Sequence, residues 1–203
     1  MFVSDWMTRK VISVGVDDSI EDLYNIMLKN RINHLPVVEE GRLIGIITIS
    51  DIRQALVSLQ FDRTKSKVRD FMVKDVTTVT EYETLEDALM IIYQKKVGSL
   101  PVVQNNNELV GIITRHDIIK AFIKIIGLDE KGVTIYIKIK DTMPEIERLV
   151  QTIKQSNRKI LSFFTLEKEN QERIIAIRFD CVNKIDLENF FKANNFDIYR
   201  PWQ

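Results

Sequence analysis

The chain has 203 residues, 45% of them apolar and 29% charged, which suits one large or two small globular domains. Lysine plus arginine and aspartate plus glutamate both total 29, so no global field draws the chain to nucleic acid or acidic lipid. The single cysteine, Cys181, excludes an internal disulfide and a cysteine-based zinc cluster.

The opening residues Met1–Trp6 have neither the cationic nor the apolar part of a signal peptide. The most apolar run, Ile118 to Ile126, is broken by Lys120 and Lys124 and is too short to span a bilayer. A soluble cytoplasmic protein is the expectation, with no membrane partner.

From Met7 onward the chain says the same thing twice. Met7 matches Met72, Val11-Ile-Ser-Val14 matches Val76-Thr-Thr-Val79, and Ser19 matches Thr84, all at an offset of 65. Apolar residues follow at 20, 23, 24, 27 and 28 and again at 85, 88, 89, 92 and 93, which is helical spacing. Ser19 and Thr84 stand before those helices with Asp22 and Asp87 three residues on, a capping-box arrangement. Next come His34-Leu-Pro-Val-Val38 and Ser99-Leu-Pro-Val-Val103, each followed by a polar turn that is one residue longer in the second copy.

Each copy then reaches a buried strand broken by one glycine, Leu43-Ile-Gly-Ile-Ile-Thr48 and Leu109-Val-Gly-Ile-Ile-Thr114. Each strand enters a Thr-x-x-Asp turn (Thr48/Asp51; Thr114/Asp117) and a helix. The order per copy is strand, helix, strand, turn, strand, helix, and neither copy alone covers its sheet. Residues 53–67 begin as helix and become a polar linker, and Gly127 stops the last helix.

Beyond Gly132 the pattern changes. Thr134–Lys140 alternates as a half-buried strand, and Pro144 opens a helix with apolar residues at 146, 149, 150 and 153. Ile160–Glu167 and Arg173–Phe179 read as strands around a turn at Lys168–Glu172. Asp186 caps a last helix carrying Leu187, Phe190 and Phe191, and Phe196–Tyr199 closes as a strand. The order is βαββαβ, a ferredoxin-like pattern.

Read alone, Thr-x-x-Asp after a strand is a helix cap. The same helix start presents N–H groups and a positive dipole end that suit a phosphate, with a hydroxyl and a carboxylate within one turn. Between the two residues the second copy has Arg115-His116 and the first has Ile49-Ser50. A guanidinium fork suits phosphate oxygens, so the Thr114/Asp117 site is expected to be the stronger phosphate binder. Lys10 or Arg53, reaching across from elsewhere, could supply charge to the first site. His34 reads as a packed or hydrogen-bonded histidine, and Cys181 as a buried structural thiol. No nucleophile constellation, metal-ligand spacing or glycine-rich phosphate loop stands out, so no catalytic activity is expected.

With these residues in view, the repeats resemble a tandem pair of CBS domains (a Bateman module). The tail is similar to an ACT domain, and the whole resembles the acetoin-utilisation AcuB family. The resemblance implies an α+β chain with two βαββα repeats about a pseudo-twofold axis. CBS domains would occupy 1–62 and 63–127, and a ferredoxin-like βαββαβ ACT domain 128–203. It implies that Thr48, Asp51, Thr114 and Asp117 meet the phosphate and ribose of an adenine nucleotide (AMP, ADP, ATP or S-adenosylmethionine). Arg115 and His116 would assist. Val11, Ile12, Val76 and Thr77 would form the adenine walls with Leu35, Pro36, Leu100 and Pro101. A homodimer and a role in acetoin catabolism are implied as well. In the tail Glu145 stands where ACT domains commonly carry a glycine beside an amino-acid ligand, so the sheet is expected to serve dimerisation rather than amino-acid binding. The competing reading is a ligand-free assembly module that recruits a protein partner. Nucleic acid is not an expected partner.

Overall fold

The computed structural model describes residues 1–56, 66–167 and 172–200 and divides into two compact units, Met1–Ile119 and Lys120–Gln203. The expected linker after residue 56 and the turn at 168–171 lie outside the described residues. Among those described, no helix is long and apolar enough to cross a membrane.

In the first unit the repeats give α1 (Ile20–Asn30), β1 (His34–Glu39), β2 (Arg42–Thr48) and α2 (Ile49–Leu56), then α3 (Val68–Phe71), α4 (Leu85–Lys95), β3 (Ser99–Gln104), β4 (Glu108–Thr114) and the start of α5 (Arg115–Ile125). Ser19 and Thr84 cap α1 and α4 by accepting the N–H of Asp22 and Asp87. The two carboxylates answer by taking the cap hydroxyls at 2.6 Å instead of the cap N–H groups, a variation on the expected box. The hairpin β1–β2 turns through Glu40 and Gly41, both at positive φ, as a tight two-residue turn requires.

The first strand of each copy is reduced to a single parallel bridge, Val14 to Val37 and Val79 to Val102. Proline explains this. Val14 N–H donates to Pro36 C=O and Val38 N–H donates to Val14 C=O. The next rung towards the N-terminus needs an N–H on residue 36, which proline lacks. Pro101 stops the second copy in the same way, since Val79 N–H donates to its carbonyl and Val103 N–H to Val79. The backbone at Ile12 and Thr77 is thereby released from the sheet.

The four strands run β1-β2-β4-β3, and β2 meets β4 only at Arg42–Glu108. The repeats are joined more firmly by a reciprocal exchange. Thr8 pairs with Ile112 on β4, while Val73 pairs with Ile46 on β2. Beside these bridges sit the strand glycines. A Cβ on Gly111 would lie 2.6 Å from Met7 Sδ, and one on Gly45 would lie 2.8 Å from Met72 Sδ and 3.1 Å from Val73 O. Each glycine is the seat of the other repeat's methionine.

α1 and α4 bury Ile20, Leu23 and Met27 and Leu85, Ala88 and Ile92 respectively. Of the rest of the predicted stripe, Leu89 is half-buried, whereas Tyr24, Leu28 (58% exposed) and Tyr93 (76%) stay outside.

The second unit holds β5 (Val133–Lys140), α6 (Met143–Gln155), β6 (Ile160–Glu167), β7 (Glu172–Phe179), α7 (Lys184–Ala193) and β8 (Asp197–Ile198). Its sheet is antiparallel in the order β6-β7-β5-β8, with Ile135, Ile137, Ile177 and Phe179 packing under Leu149, Leu187 and Phe191. Gly127, at φ +67, ends α5 in a Schellman pattern, with Leu128 N–H on Ile123 C=O and Gly127 N–H on Lys124 C=O.

Three expectations for this unit are corrected. Asn183, not Asp186, caps α7: its Oδ1 accepts Asp186 N–H, and the Asp186 carboxylate pairs with Arg158 at 2.6 Å. Val150 is more than half exposed, so α6 turns Leu149, Thr152 and Ile153 fully inward, with Ile146 partly buried. Cys181 is half-buried just beyond β7 and not fully enclosed.

Candidate functional site

The exchange between repeats produces two clefts, both inside the first unit. In one, of about 540 Å³, Val11 and Ile12 of the first repeat face Thr114, Arg115, His116 and Asp117 of the second. In the other, of about 320 Å³, Val76 and Thr77 of the second repeat face Thr48 and Asp51 of the first. Both volumes fall in the range of small-ligand sites. Each cleft therefore combines the released backbone of one copy with the Thr-x-x-Asp helix start of the other.

The caps themselves are complete. Asp51 Oδ2 accepts Thr48 N–H at 2.8 Å and the Thr48 hydroxyl at 2.7 Å, and Thr48 Oγ1 accepts Asp51 N–H at 3.3 Å. Asp117 and Thr114 repeat this at 2.9, 2.6 and 3.3 Å. The carboxylate bonds use Oδ2 alone, so the cap leaves Oδ1 for another donor. The threonine proton is already given to the aspartate, and a phosphate that wants it must redirect it.

Leu35, Pro36, Leu100 and Pro101 line neither cleft. All four are buried, with Leu35 and Leu100 wholly inside the core. Their side chains lock the hairpins, and the prolines act by what they deny the neighbouring strand. Lys10 lines the Thr114 cleft and not the first site it could have served, and Arg53 lines neither. Arg115 lines both, so the Thr48 cleft does not lack positive charge. Arg115 is held by its Nε donating to Val97 C=O at 2.9 Å.

Several contributors escaped sequence reading. Arg31 and Lys96 end α1 and α4 in the left-handed conformation, at φ 54 and 55, and each reaches one cleft. Glycine is the cheaper residue there, and basic side chains in both copies make the positions informative. Their match at the repeat offset was a readable signal. Asp75 and Ser99 line the Thr48 cleft.

His34 stands between the clefts and lines both. Gly98 makes room for it, since a Cβ there would meet His34 Nε2 at 2.3 Å. Burial, and then the Arg115 guanidinium, hold the imidazole below its ordinary pKa, with Asp51 pulling the other way. The unfolded chain consequently takes up this proton first. The stability that neutral His34 contributes is full above about pH 6.5 and is lost as the pH falls below that value. In thermal unfolding between about pH 7.5 and 5, the wild type is expected to lose ground against His34→Gln. A constant gap between them would contradict this environment.

Residues 3–58 and 68–124 each match the CBS domain family, and together they make up more than half of the chain. The chain belongs to the CBS-domain family, as a tandem pair. It is 42% identical over 113 residues to an inosine-5'-monophosphate dehydrogenase of Methanocaldococcus jannaschii, covering 55% of this chain and 22% of that protein. The chain spans half or less of the length of these curated relatives, 22% of that enzyme and 50% of the uncharacterized protein MJ0188 of the same organism.

Among solved structures, the CBS domain pair of protein MJ0100 in complex with 5'-methylthioadenosine and S-adenosyl-L-methionine is 32% identical. Its TM-score is 0.55, over 60% of this chain and 99% of that one. CBSX2 in complex with AMP is 25% identical with a TM-score of 0.56, over 61% and 97%. A Vibrio cholerae protein described as an acetoin utilization protein (AcuB) is 29% identical with a TM-score of 0.58, over 64% and 95%.

Proposed function

We propose that the chain is a non-catalytic regulatory protein that senses an adenine nucleotide (AMP, ADP, ATP or S-adenosylmethionine) in the clefts of its CBS pair. The observation that carries this is the construction of both clefts from a freed strand of one repeat and a Thr-x-x-Asp helix start of the other. The complexes of related CBS pairs with AMP, 5'-methylthioadenosine and S-adenosylmethionine support it. A ligand biases such a protein only by binding its alternative arrangements with different affinity. Within the reading, CBS domains fall at 1–62 and 63–127. An ACT-like domain at 128–203 is supported by its βαββαβ order and sheet order. In that domain Glu145 is engaged with Arg148 at 2.9 Å, which favours an assembly role over amino-acid binding. The likeness to AcuB supports a place in acetoin utilisation.

A second reading, a ligand-free assembly module that recruits a protein partner, is favoured by the exposed apolar residues Leu28, Met90, Tyr93 and Ile119. The same residues fit a homodimer under the first reading.

Thermal unfolding of the full chain with ATP, ADP, AMP and S-adenosylmethionine separates the two. A ligand at about 100 times its dissociation constant is expected to stabilise the fold by about 2.7 kcal/mol. No shift with any of them would overturn the sensor in favour of the assembly module.

A further inference from the structure

The two clefts are built alike and charged differently. Superposing the repeats by their sequence offset places Asp75 where the other cleft has Lys10, Lys96 where it has Arg31, and Ser50 where it has His116. The Thr114 cleft consequently carries three fixed cations, Lys10, Arg31 and Arg115, against one carboxylate, Asp117. The Thr48 cleft carries two, Lys96 and Arg115, against two carboxylates, Asp51 and Asp75. Lys10 and Asp75 are both exposed.

The smaller cleft has a second distinguishing feature. Ser99 lines it, is only 3% exposed, and its Oγ has no hydrogen-bond partner among the described residues. A buried hydroxyl without a partner is costly, and a ligand edge offering a neutral donor or acceptor satisfies it. The equivalent position in the first repeat is His34. The Thr48 cleft thus offers neutral polar groups and balanced charge, in about 320 Å³ against about 540 Å³.

We propose that the clefts divide their ligands by charge: the Thr114 cleft takes a nucleotide carrying several phosphates, and the Thr48 cleft takes an adenine nucleoside carrying none. The inference rests on the sensor reading above and assigns each site its ligand class. A polyphosphate entering the Thr48 cleft meets two carboxylates and finds Arg115 already shared with the other site. A nucleoside meets no such repulsion and can give Ser99 its partner.

Titration calorimetry on the full chain tests this, with ATP and adenosine as probes. The wild type is expected to bind one equivalent of ATP, and adenosine to add a further equivalent without displacing it. Asp75→Lys is expected to take a second equivalent of ATP, and Lys10→Asp to weaken ATP binding by roughly tenfold. Ser99→Ala is expected to weaken adenosine and leave ATP unchanged. The proposal falls if the wild type binds two equivalents of ATP alike, if adenosine only competes with ATP, or if ATP alone binds. Heat from neither probe in any variant, joined by flat thermal shifts with all four nucleotides, would bring down the sensor reading itself.

Discussion

Asp117→Ala is expected to weaken adenine-nucleotide binding by roughly ten- to a hundredfold, the value of a hydrogen bond to a charged group. It removes the carboxylate whose Oδ1 is left open at the Thr114 cleft. The same change also breaks a helix cap, at a cost of about 0.5–2 kcal/mol. Asp51→Ala is the matched control, because its cap has the same bonds at nearly the same distances. The two variants should lose similar stability, and only Asp117→Ala should lose affinity for ATP. Equal stability losses with unchanged ATP affinity in both would leave Asp117 as a cap alone. Tighter ATP binding by Asp117→Ala would mean that the carboxylate only repels the phosphates.

Phe191→Ala is expected to cost about 3–5 kcal/mol, the largest stability effect of any single change considered. Phe191 is fully buried and lies 5.8 Å from Phe179, 5.4 Å from Phe190 and 6.1 Å from Phe196, ring centre to ring centre. Truncation leaves a cavity walled by rigid rings that cannot collapse into it. Phe191→Leu keeps most of the volume and should recover much of the loss. Urea unfolding followed by circular dichroism measures both. A loss below about 1 kcal/mol for the alanine variant would show that the second unit does not pack around this ring.

The repeat was legible because it was written in residues with strong local meaning: caps at Ser19 and Thr84, paired prolines, strand glycines and two Thr-x-x-Asp turns. What those residues do across the repeats was not legible. Gly45 and Gly111 looked like interruptions of a strand, whereas they are seats for Met72 and Met7. Pro36 and Pro101 looked like ligand walls, whereas they shorten the strands beside them. The exchange also decides which charges meet which helix start, so Lys10, one of two residues that could have served the first site, lines the other cleft, and Asp75 was not considered. Arg31 and Lys96 depend on backbone angles that composition does not reveal. In the tail, Asp186 and Asn183 are both good cap residues three positions apart, and the ion pair with Arg158 accompanies the choice between them.

The reciprocal bridges also set an order of events during synthesis. Gly45 on β2 waits for Met72, and Met7 at the start of the chain waits for Gly111 on β4. At about 5–20 residues per second, the first hairpin leaves the ribosome seconds before the segment that covers it exists. Closing such long loops is slow and yields little until both ends are present. The first copy therefore spends that interval as a half-finished object with an uncovered strand edge, and the second copy completes it. Strand β2 gains its cover at Ile46 only once Val73 of the second copy has been made.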